Sequence, residues 1–192
     1  MKKTKQNYLY EALKYISSSK NYILFALFLM LLTFLIALLF QTHAFIENAI
    51  KQIISDLAEK TTNMNFFSLA VFIFSNNLKV SLIALFFGFF FGIVPIFLAL
   101  SNGYVIGYVS KLVVNSEGVG SLWRLLPHGI FEIPAVLISL GLGMKLGFSF
   151  FNLKPDKVFL ERIYLSIKSL IIIVLLLIIA AVIESGLIVF LS

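Results

Sequence analysis

The chain contains no cysteine among its 192 residues. A disulfide framework, a thiolate metal site and a thiol nucleophile are therefore excluded. Histidine is nearly absent, with His43 and His128 alone, so one chain cannot build a site from several imidazoles. Charged residues make up only 12% of the sequence, 9 acidic against 15 basic, too few to clothe a soluble domain. No His-Glu-x-x-His pattern, nucleophile elbow or phosphate-binding loop occurs. An enzyme is not expected, and neither is a cofactor.

What remains is apolar. Hydrophobic residues make up 60% of the chain and the mean hydropathy is +1.04, which predicts an all-α integral membrane bundle forming a single membrane domain over 1–192. The 21 phenylalanines read as filler and lipid-facing surface. A net charge of +6 invites a nucleic-acid partner, but the lysines flank apolar runs. The tendency of basic segments to stay cytoplasmic explains that clustering better.

Residues 1–21 carry Lys2, Lys3, Lys5, Lys14 and Lys20 against Glu11 alone, a segment expected to lie as an amphipathic helix on the cytoplasmic surface. Tyr22 to Phe40 is long enough to span. In 41–64, Ile46, Ile50, Ile53, Ile54 and Leu57 fall on one stripe. That spacing predicts an interfacial helix on the far side, with His43 as an interfacial side chain of no special task. Phe66 to Phe74 is too short to cross and ends at Ser75-Asn76-Asn77. It reads as a membrane-dipping half-helix, or else as the start of one long, broken helix reaching Leu100. Val80 to Leu100 is the second clear span, with the close-packing pair Gly88 and Gly92 and a bend at Pro95. Gly103 and Gly107 repeat that spacing in 102–115. Residues 115–124 read as a loop anchored by Trp123. Leu125 to Leu146 crosses, with Gly129, Gly141, Gly143 and Gly147 as further packing positions and Lys145 reaching outward. The last span starts at Leu170.

Two basic segments, 1–21 and 145–168, both belong in the cytoplasm, so an even number of crossings separates them. Spans at 22–40, 80–100 and 125–146 make three. Either 66–76 or 102–115 must supply a fourth, giving about five transmembrane helices plus the interfacial ones.

The densest polar stretch inside an apolar run is Pro127-His128-Gly129-Ile130-Phe131-Glu132-Ile133-Pro134-Ala135. His128 and Glu132 share a helix face. Together with Asn76, Asn77, Asn102 and Glu184 they form the polar intramembrane set. Three roles are open to them: a hydrogen-bonded pair fixing helix register, a proton or ion path through an oligomeric channel or transporter, and a metal or catalytic site, which two ligands serve poorly.

The ordered set of Asn76-Asn77, Gly88 and Gly92, Asn102-Gly103 with Gly107, Pro127-His128-Gly129 with Glu132-Ile133-Pro134-Ala135, and Gly141 to Gly147 resembles the stage II sporulation protein M family over residues 66–190. The resemblance implies a small multi-span membrane protein. In spore formers it implies work in engulfment beside proteins that remodel the cell wall. The expected function is thus a non-enzymatic membrane protein that scaffolds or recruits envelope partners, with the lipid bilayer and a homo-oligomer as further partners.

Overall fold

The computed structural model describes residues 8–149 and 155–191; the side chains at 123–128, 155–158 and 191 are outside that description. Seven helices follow one another: α1 (Tyr8–Ser18), α2 (Lys20–Leu39), α3 (Ala44–Thr61), α4 (Phe66–Phe86), α5 (Ile93–Glu117), α6 (Leu126–Phe148) and α7 (Pro155–Leu191). Short 3-10 turns at Phe87–Phe89 and Val119–Leu125 join α4 to α5 and α5 to α6. The described residues contain no strand. Five helices, α2, α4, α5, α6 and α7, are long and apolar enough to cross a bilayer.

Local chemistry starts two of these helices. The Nδ1 of His43 accepts the Phe45 backbone N–H at 3.3 Å, so His43 caps α3, a task not foreseen for it. Asn65 Oδ1 accepts the Ser68 N–H at 2.9 Å and caps α4.

The crossings are five, as expected, but two of them lie elsewhere in the chain. Ser75-Asn76-Asn77 does not end a half-helix, because α4 runs unbroken from Phe66 to Phe86. Asn is only a mediocre helix former, and its side chain leaves the backbone ladder intact. The expected span Val80 to Leu100 is instead divided between two helices. Phe91 (φ 52°) and Gly92 (φ 73°) enter the left-handed region, which an α-helix of L-residues cannot contain. Pro95 falls in the first turn of α5, where a missing N–H costs nothing, so it does not bend a span. Both 66–86 and 93–117 therefore cross, and the four crossings between the basic segments are α2, α4, α5 and α6. The last helix begins at Pro155 rather than Leu170, and α5 continues to Glu117, shortening the expected loop. The expected Trp123 anchor is a side chain outside the described residues.

Helix α6 is the axis of the bundle and touches the other four spans. Ala135, Val136, Leu137, Leu140, Leu142, Met144 and Leu146 are all buried along it. Helix α1 packs on α7, burying Ala12 and Tyr15, while Leu9 and Leu13 stay exposed. Helix α3 stands further off: Ile50 is buried against Ala37 and Tyr108, and Ile46, Ile53, Ile54 and Leu57 remain exposed. One end of the bundle thus carries α1, the 87–92 turn and the start of α7. The other carries α3 and the 119–125 turn.

Candidate functional site

The polar set is spread over four helices. Asn76 and Asn77 sit at the middle of α4, the first exposed and the second half-buried. Asn102, on α5, donates its amide to the Leu98 carbonyl at 2.9 Å, four residues back in its own helix. Glu132 is half-buried on α6, and the side chain of His128 lies outside the described residues. Pro127 falls in the first turn of α6, while Pro134 lies inside that helix. Glu184 is half-buried on α7, where Ala181 packs on Leu69 and Ile73. None of these residues lines the apolar cavity of about 380 Å³ between α4 and α7 or the cavity of about 480 Å³ beside Glu11 and Lys14.

The glycines, by contrast, stand where backbones meet. A Cβ on Gly103 would strike the Met30 carbonyl, and one on Gly107 the Phe34 carbonyl, so α5 lies directly on α2. Gly141 abuts Ile23, whose backbone nitrogen would lie 2.8 Å from an added Cβ. Gly143 meets the Ala84 carbonyl, and Gly147 meets Gly88 and Gly92 at the turn. Gly88 in turn faces Gly143. Four glycines from two segments so close one junction, which joins the end of α6 to the α4–α5 turn. Gly129 lacks such a neighbour, its nearest contact being Ile133 Cδ1 at 3.5 Å.

A second polar centre was missed by the sequence reading. Lys145 does not reach outward: it is 8% exposed and donates to Ser18 Oγ at 2.8 Å and Ser19 Oγ at 2.9 Å. Its ammonium also lies 4.1 Å from the centre of the Tyr15 ring. Both serine hydroxyls donate to the Tyr15 carbonyl at 2.7 Å, so their protons are committed. Arg162 donates to the Lys145 carbonyl at 3.3 Å. Lys168 pairs with Glu11 and lies over the rings of Tyr8 and Tyr164. Burial pushes the Tyr15 phenol above its ordinary range. Its hydroxyl adjoins that of Ser166 without hydrogen-bond geometry. This cluster ties the α1–α2 corner to the ends of α6 and α7. The signal for it was the run Ser17-Ser18-Ser19 before an apolar span, which offers hydroxyls to a cation at the matching end of another.

Among the described residues, no three His, Asp or Glu side chains gather closely enough to hold a metal ion. Residues 23–187 match the family described as Stage II sporulation protein M. No curated protein and no solved structure matches the chain.

Proposed function

The chain belongs to the stage II sporulation protein M family, and from that premise we propose that this multi-pass membrane protein is a non-enzymatic scaffold that recruits envelope proteins. Its basic N-terminal end faces the cytoplasm on this reading, as the lysine distribution favours. The observation that supports a scaffold is the packing of α6. Its buried positions from Ala135 to Met144 are apolar or small, and Gly141, Gly143 and Gly147 rest on neighbouring backbone. A rigid, tightly closed axis suits a platform better than a path that must open for a solute.

The test is reconstitution of the purified protein in sealed liposomes, together with cross-linking in its host membrane. A scaffold gives no ion, proton or solute flux under a gradient and cross-links to defined envelope proteins. Flux that is lost in Glu132→Gln while the variant still folds would overturn the proposal.

A further inference from the structure

The outward face of α4 carries an amide at the middle of the helix and an ammonium three residues further on. Ser68, Asn76 and Lys79 are exposed on this helix, among Phe67, Val71, Ile83 and Phe86. Ser68, Asn76 and Lys79 fall on one stripe at helical spacing. Asn76 lies ten residues from either end of α4, about 15 Å from each. Lys79 lies about 20 Å below the start of the helix. Among the described residues no ion pair or side-chain hydrogen bond reaches Asn76 or Lys79.

Snorkelling does not rescue Lys79. The nearer end of α4 is Phe86, about 10 Å on, and the turn beyond it exposes Phe87, Phe89, Phe90 and Phe91. That turn shares its end of the bundle with α1 and the start of α7, where Phe159 and Ile163 line a pocket with Phe86 and Phe89, so the polar boundary begins about 10 Å from Lys79. The lysine stem cannot carry an ammonium that far. A charged side chain within a membrane helix calls for a partner, and an exposed Asn calls for a hydrogen bond across a helix contact.

A second copy of this chain, inserted in the same direction, does not supply that partner. Glu132 lies six residues into α6, about 9 Å from the α3 end, and Glu184 seven residues from the end of α7, about 10 Å from it. Both are about two helical turns too shallow for Lys79. Of the other seven acids, Glu11 lies on α1, Glu47, Asp56 and Glu59 on α3, Glu117 ends α5, and Asp156 and Glu161 fall in the first two turns of α7. Phe159 and Ile163, on either side of Glu161, are level with Phe86 and Phe89, about two turns beyond Lys79.

We infer that this face of α4 seats a transmembrane helix of a different protein, bearing a carboxylate at the depth of Lys79 and a hydrogen-bonding or small residue opposite Asn76. The inference rests on the scaffold reading and adds the chemistry of the partner. Ser68 and Val71 leave room toward the α3 end for close approach, and Ile83 and Phe86 flank the charged contact on the other side.

The test reconstitutes the full-length protein with synthetic Leu/Ala transmembrane helices and reads association by energy transfer. One probe carries a single Asp at the depth of Lys79, another carries Leu there, and a third carries Asp about two turns shallower. The first is expected to bind about tenfold more tightly than the other two. Lys79→Leu, which replaces a lipid-facing charge and leaves the core untouched, abolishes that preference. Lys79→Glu moves the preference to a probe bearing Lys. Equal binding of the Asp and Leu probes overturns the inference, and so does wild-type self-association that disappears in Lys79→Leu, which gives the face to a second copy. Selective probe binding by a protein that also conducts ions would leave this inference standing and overturn the scaffold reading alone.

Discussion

A methyl group on Gly107 has nowhere to go, because the Phe34 carbonyl already occupies its position. Backbone cannot swing aside as a long side chain can, so overpacking here should cost about 1–3 kcal/mol. Gly107→Ala and Gly143→Ala are expected to lower the midpoint of thermal unfolding in detergent, while Gly120, with nothing within 4 Å, accepts Ala within about 0.5 kcal/mol. Equal shifts in all three would mean that the α2–α5 and α4–α6 contacts lie elsewhere. Lys145 offers a second test at this scale. Its buried ammonium depends on Ser18 and Ser19, so Ser19→Ala strips an acceptor from a charge and should cost about 1–3 kcal/mol. In a Lys145→Met background the same change should cost little. A coupling of about 1 kcal/mol or more in that double-mutant cycle is the expected reading, and additive effects would show that the contact contributes nothing.

At the scale of elements, the placing of helix breaks separates side-chain polarity from backbone geometry. Asn76-Asn77 carries the polar signal but sits inside an intact helix, whereas Phe91-Gly92, in a phenylalanine-rich stretch, makes the break. Gly92→Ala is therefore predicted to destabilise the protein by about 1–2 kcal/mol or more. The φ of 73° is strained for Ala, and the Phe148 ring lies 3.2 Å from the added Cβ. Asn77→Ala should leave the unfolding midpoint unchanged or slightly raised, since Ala is the better helix former. The reverse outcome would restore a half-helix ending at the asparagines. Hydropathy could not find this break. Phe87, Phe89, Phe90 and Phe91 continue the apolar run, and only the left-handed backbone marks the corner.

For the whole molecule, five crossings place Ser17 on one side of the membrane and both Thr62 and Ser116 on the other. The natural absence of cysteine makes single-cysteine labelling clean. With an impermeant maleimide on intact cells, Thr62→Cys and Ser116→Cys should react, and Ser17→Cys only after permeabilisation. Labelling of Ser17→Cys from outside would invert the orientation proposed here. Membrane residence, helical class and number of crossings follow from composition and from the alternation of basic and apolar segments, because a bilayer demands about 20 apolar residues for each helical span. The sequence by itself also determined which glycines are available for close contact, since a missing Cβ is a property of the residue. Only the tertiary structure decided what each one meets: Gly147 faces Gly88 and Gly92, Gly107 faces α2, and Gly129 faces no backbone. The same holds for charge. Lys145 and Lys79 are alike as lysines in apolar helices, yet one is enclosed by Ser18, Ser19 and Tyr15 while the other points outward. The periodicity of one helix fixes its own faces, and which neighbour covers each face is set by helices distant in the chain.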